Sequence, residues 1–134
     1  MLLEKKIKYL VVHCSDTPDD KNIDSAFIHK MHLSFGWNGI GYHKIILRDG
    51  TIENGRPEYW VGAHVKGFNE RSLGVCLIGR KNFTMKQFKS LKIVLTEWKK
   101  KYTNSIILGH RDATETKKTC PNFDVKLWCK ENSI

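Results

Sequence analysis

The longest periodic stretch of the chain runs from Thr84 to Lys101. Phe88, Leu91, Val94, Leu95 and Trp98 recur there at helical spacing, while Lys86, Lys89, Lys92, Lys99 and Lys100 fall largely on other faces. The pattern predicts a helix over 84–101, capped by Thr84, whose apolar stripe belongs to the core. Residues 7–13 alternate weakly, are rich in β-branched side chains and run out at Ser15-Asp16-Thr17-Pro18, which predicts a strand. Leu73 to Ile78 is almost wholly apolar and stops at Gly79, as expected of a central strand covered on both faces.

Weaker patterns fill the gaps. Asp24-Ser25 can cap a helix over about 25–35, with Ala26, Phe27, Met31 and Phe35 as a loose buried stripe and Gly36 as its end. Lys44-Ile45-Ile46-Leu47 reads as a strand, Arg48-Asp49-Gly50-Thr51 as a hairpin turn and Thr51-Ile52-Glu53 as the returning strand. The glycines before Tyr42 let the backbone approach another segment closely. Val61 to Asn69 is too glycine-rich for a helix and reads as a loop carrying His64. Ile106-Ile107-Leu108 is a short buried strand that delivers His110, and Phe123 to Glu131 a closing helix with Phe123, Leu127 and Trp128 inward. The order β, α, β-hairpin, β, α, β, α predicts a single α/β domain over 1–134, with a central mixed β-sheet flanked by helices.

Composition narrows the class. At 134 residues, 40% of them apolar, with four Trp, four Tyr and six Phe, the chain can bury a real core but has no room for two domains. The net charge of +9 favours polyanions, although much of it lies in Lys81 to Lys101, where it is the wet face of one helix. No nucleic-acid-binding motif accompanies it, so no nucleic-acid partner is expected. Met1-Leu2-Leu3 is followed at once by Glu4, Lys5 and Lys6, with no apolar signal region, and no run has the length of a membrane span. The expectation is a monomer made in the cytoplasm without membrane insertion.

Four cysteines in such a setting read as thiols, not disulfides. Cys76, inside an apolar run, and Cys129, beside Trp128, read as small buried hydrophobes. Cys14 should point to the opposite strand face from its neighbour His13. Cys120 differs, because it closes Lys118-Thr119-Cys120 shortly after Gly109-His110-Arg111. With His13 at a strand end, His110 and Cys120 make a His-His-Cys set suited to a zinc ion with one open position. Lys118 can reach over such a metal, and Tyr42 can donate a hydrogen bond or manage a proton. Alternatives stand beside this. His29 and His32, three apart on one helix, form a rival metal pair, and Cys14 or His64 would complete a closed structural zinc site. No compact CxxC or HExxH signature decides between them.

Seven segments, taken together, resemble a known family. They are Val12-His13-Cys14-Ser15-Asp16-Thr17, Gly36 to His43 (GWNGIGYH), Arg48-Asp49-Gly50-Thr51-Ile52, Gly62 to Asn69 (GAHVKGFN), Ser72 to Gly79 (SLGVCLIG), Gly109-His110-Arg111-Asp112 and Lys118 to Asp124 (KTCPNFD). Their order and approximate spacing resemble the type 2 N-acetylmuramoyl-L-alanine amidases, a family that includes the peptidoglycan recognition proteins, and within it the bacteriophage T7 lysozyme branch. The resemblance runs from about Tyr9 to Trp128. It implies a zinc hydrolase that cuts the amide between N-acetylmuramic acid and the L-alanine of the stem peptide, with peptidoglycan as substrate. It implies His13, His110 and Cys120 as zinc ligands, Tyr42 as the catalytic tyrosine, Lys118 as the lysine that stabilises the transition state, and His64 as a residue of the substrate groove.

The chain departs from some relatives. Those in cell-wall recycling carry an acidic residue where Cys76 stands and an aspartate where Cys120 stands, and many relatives have Trp-His where this helix has Met31-His32. Non-catalytic, peptidoglycan-binding members typically lack the cysteine ligand, so the presence of Cys120 weighs against that alternative. A phage or prophage endolysin, acting on the cell wall after release, is the expected setting.

Overall fold

The computed structural model describes residues 6–113 and 119–134. Five strands form one mixed sheet: β1 (Tyr9–Cys14), β2 (Lys44–Ile46), β3 (Ile52–Asn54), β4 (Ser72–Leu77) and β5 (Ile106–Gly109), in the spatial order β3-β2-β4-β1-β5. β1 pairs in parallel with β4 and β5, β2 pairs in parallel with β4, and only the β2–β3 hairpin is antiparallel. β1 and β4 lie at the centre. Every residue of β4 is buried, as its unbroken apolar run requires.

Alternation along the strands assigns the two faces. Leu10, Val12, Ile46, Leu73, Val75 and Leu77 enter the main core, under α2 (Met85–Lys101) and α4 (Val125–Glu131). Ile45 turns the other way, toward α1 (Ser25–Ser34), where it packs with Ile28, Ile40 and Ile78. Val11 also faces away from α2 and clusters with Val65 and Leu108. His13 follows Val11 on that second face.

The α2 stripe is buried as its periodicity predicts, with Phe88 packed against its edge. Its N-terminus carries a reciprocal capping box between Thr84 and Gln87. The other two long helices differ from expectation. α1 buries Ile28 and His32, whereas Phe27 and Phe35 are 49% and 58% exposed. The seam is a narrow i, i+4 pair, and one of its two members is polar. α4 starts after Phe123, capped by the Asp124 side chain on the Leu127 N–H, and it buries Val125 and Cys129 while Leu127 stays exposed.

Parallel pairing determines where the chemistry sits. Register aligns Val12 with Gly109, so His13 and His110 leave neighbouring strands side by side at their carboxyl ends. That is where open α/β sheets leave a crevice for ligands. His110 also opens a short helix, α3 (His110–Ala113), instead of ending the strand itself.

Candidate metal centre and groove

Gly109 is the residue that lets the closing segment approach His110. A Cβ there would meet Pro121 Cδ and Val125 Cγ2, each at 3.0 Å. Its N–H donates to Asp112 Oδ2 at 3.0 Å, and the Arg111 N–H donates to the Cys120 carbonyl at 2.9 Å. These contacts tie the Cys120 turn to the start of α3. Asn122, with φ of 68°, donates its N–H to the Thr119 carbonyl at 2.7 Å and closes that turn.

The outcome is one tight cluster. A ligand atom from each of His13, His110 and Cys120 lies within 4.8 Å of the others, and no other such group of three exists among the described residues. The donor set suits zinc: two imidazole nitrogens and one sulfur leave a tetrahedral ion an open position. Burial, with His64 and His110 nearby, pushes the His13 pKa well below its ordinary value, so its ring is neutral and offers a lone pair. The Cys14 N–H donates to Cys120 Sγ at 3.1 Å, the bond that a metal-held thiolate accepts. Without an ion, the Cys14 contact and burial raise the Cys120 pKa, so metal entry displaces a proton.

The cluster lies on the wall of a groove of about 590 Å³, which Met31, Phe35, Trp37, Tyr42 and His64 also line. Tyr42 is half-buried, its ring centroid 5.1 Å from that of His13. Burial, followed by the Cys76, Cys120 and Cys14 thiols, holds its pKa well above the ordinary value. Its hydroxyl therefore keeps its proton and acts as a donor.

The glycines ahead of Tyr42 do approach other groups closely. A Cβ on Gly41 would meet the Ala63 carbonyl oxygen at 2.0 Å, and one on Gly39 would meet His29 Cε1 at 2.4 Å. The rival pair, His29 and His32, serves this same segment. Their Nδ1 atoms accept the N–H groups of Ile40 at 3.0 Å and Gly41 at 2.9 Å. Arg56 adds two bonds, Nε to the Ile40 carbonyl and Nη1 to the Val61 carbonyl. Each of these side chains holds backbone near Tyr42.

His64 lies beside the cluster, 2.8 Å from His13 Nε2 through its own Nδ1. Lys118 lies outside the described residues, as do positions 114–117 of the loop before it. Two further cysteines lie close by. Cys14, although on the opposite strand face from His13, brings its sulfur to 3.6 Å from Cys120 Sγ, because both lie beyond Val12 and Gly109, the last pair of the β1–β5 ladder. Cys76, fully buried as its apolar run predicts and in register with His13, contacts Tyr42.

Comparison with known proteins identifies the family. The N-acetylmuramoyl-L-alanine amidase profile (Amidase_2) matches residues 3–123. The endolysin of Escherichia phage T7 is 40% identical over 133 residues, covering 93% of this chain and 87% of its own. The amidase LysC from Clostridium intestinale superposes with a TM-score of 0.86 at 31% identity, covering 98% of this chain and 88% of LysC. Bumblebee peptidoglycan recognition protein SA superposes with a TM-score of 0.82 at 25% identity, covering 96% of this chain and 83% of that protein. Since the match spans nearly the whole sheet and every element that brings a cluster residue into place, the chain belongs to the N-acetylmuramoyl-L-alanine amidase family.

Proposed function

We propose that this chain is a zinc-dependent endolysin that hydrolyses the amide joining N-acetylmuramic acid to the L-alanine of the peptidoglycan stem peptide. The observation that carries the reading is the His13, His110 and Cys120 cluster on the wall of an open groove, with the Tyr42 ring beside it. A zinc ion held by these three residues would supply Lewis-acid polarisation of the scissile carbonyl and a water of lowered pKa.

The chain's own groups do the rest. Tyr42, held protonated, donates a hydrogen bond toward the reacting carbonyl or water. Lys118, assigned by resemblance, balances the negative charge that develops on the carbonyl oxygen. Phe35 and Trp37, 5.4 Å apart between ring centroids and both exposed, offer apolar surface to the sugar and lactyl side of the substrate. The positive net charge favours anionic wall polymers. Among the described residues no helix is long and apolar enough to cross a membrane.

Mass spectrometry of peptidoglycan digested with the protein, with and without a chelator, tests the reading. Free stem peptides beginning at L-alanine, lost on chelation and restored by zinc, are the expected products. Cleaved sugar linkages, or release that ignores the chelator, would overturn it.

A further inference from the structure

We infer that His64 sets the tautomer of His13, holding the proton on His13 Nε2 and leaving His13 Nδ1 as the atom offered to the metal. The inference rests on the metal-centre reading above and assigns His64 a positioning role in place of a direct contact with substrate.

The argument starts at a carbonyl, which can only accept. Ser72 Oγ donates to the Phe68 carbonyl at 2.7 Å, and this uses the only proton that the hydroxyl has. Ser72 Oγ also lies 3.2 Å from His64 Nε2, so in that contact the imidazole must be the donor. His13 Nε2 faces His64 Nδ1 at 2.8 Å, so it is not the atom that a metal ion would take; as a ligand, His13 would offer Nδ1 and carry its proton on Nε2. A neutral ring bears one proton, so His64 Nδ1 is a bare acceptor. The 2.8 Å contact between that atom and His13 Nε2 then places a proton on His13 Nε2. The lone pair left on a neutral His13 ring is then on Nδ1. The opposite assignment fails at the far end: a proton on His64 Nδ1 would leave Nε2 and Ser72 Oγ facing each other with no proton between them.

The position of the ring is built into the backbone. A Cβ on Gly74 would meet His64 Nδ1 at 2.7 Å, and one on Gly62 would meet His64 Cδ2 at 2.6 Å, so two glycines clear the seat. Asn69 Oδ1 accepts the N–H groups of His64 and Val65, each at 2.9 Å, which fastens the loop that carries the ring. Ser72 is fully buried. Both ring nitrogens of His64 are therefore spent inside the protein. Histidine ligands generally donate their second N–H to such a partner, and losing that partner typically costs 10–100-fold in metal affinity.

Long-range proton–nitrogen correlation spectra of the zinc-loaded protein, labelled with nitrogen-15 histidine, read the tautomer directly. The expected pattern is a protonated Nε2 and a zinc-shifted Nδ1 in His13, with a scalar coupling from His13 Nε2 to His64 Nδ1. A zinc-shifted Nε2 would overturn the inference and leave the metal centre standing. No zinc-induced change at His13 would overturn both. His64→Phe keeps a ring in the seat but cannot accept, and chelator competition should show zinc affinity falling about 10–100-fold. His64→Asn, whose side-chain carbonyl can accept the Nε2 proton, should recover most of that loss. Unchanged affinity in His64→Phe, or equal losses in both variants, would show that the ring only fills space. The wild-type spectrum decides the matter even where a variant fails to fold.

Discussion

His32 accepts the backbone N–H of Gly41 at its Nδ1, 2.9 Å away, and so a core imidazole holds the strand entry that presents Tyr42. His43 does similar work one turn further on, accepting the Gly74 N–H at Nδ1 and donating from Nε2 to the Trp60 carbonyl. Both bonds to Nδ1 require an unprotonated atom.

Stability should therefore depend on pH below neutrality. Burial lowers the pKa of His32 and of His43 to about 4, against an unfolded value near 6.5. Between those limits the unfolded chain takes up protons that the folded chain refuses. The contribution is whole above about pH 6.5 and declines as the pH falls toward 4, with His43 accounting for roughly 3 kcal/mol of the loss. Urea midpoints of the metal-free protein at pH 7.5, 5.5 and 4.5 should fall in that order. A flat series would contradict the assignment.

Oxidation of the metal-free protein should join Cys14 to Cys120. Their sulfurs are 3.6 Å apart, and a side-chain rotation can close that to the roughly 2.05 Å of a disulfide. Diamide would take the two hydrogens and become the hydrazine. Thiol titration should then find two free cysteines in place of the four present in the sequence, and Cys14→Ser should block the change. Prior loading with zinc should protect both thiols. Four thiols surviving oxidation without metal would contradict the expectation.

Gln87→Leu should cost about 2–4 kcal/mol of stability. The buried amide donates from Nε2 to the Ile46 and Ile78 carbonyls, and its Oε1 accepts from the Thr84 N–H and Arg48 Nη1. Leucine removes all four bonds and strands buried partners. Denaturant unfolding measures the loss. The folded fraction should still bind zinc, since none of these atoms touches the groove.

Tyr42→Phe should lower the rate of wall lysis by about 10²–10⁴-fold while zinc content stays unchanged. Turbidity loss and metal analysis on the same preparation separate the two readouts. A parallel fall in bound zinc would make Tyr42 a support of the centre, not a participant in the chemistry.

The central strands and α2 were legible because hydrophobicity dominates them: the stripe from Phe88 to Trp98 packs on the core that Leu73, Val75 and Leu77 enter. α1 was less legible. Its seam is Ile28 and His32, and a pattern of apolar residues cannot score a histidine whose burial is stabilised by one backbone N–H. The centre follows the same division. His13, His110 and Cys120 stand out by residue type, whereas the approach of Cys14 depends on where a strand stops pairing. The role of His64 depends on a hydroxyl proton eight residues away.

The sheet order has a consequence for when the proposed metal site can form. β5 lies at the edge and pairs with β1, although α1, β2, β3, β4 and α2 all come between them in sequence. A growing chain that has made β1 through β4 already holds His13, Tyr42 and His64, yet the proposed metal site does not exist until β5 docks and the Cys120 turn folds over it. Two of the three donor residues, His110 and Cys120, follow β1 to β4 in the chain, so metal binding at the proposed site waits for the closing segment. An ion that grips both β1 and the closing segment then stabilises the edge pairing by mass action.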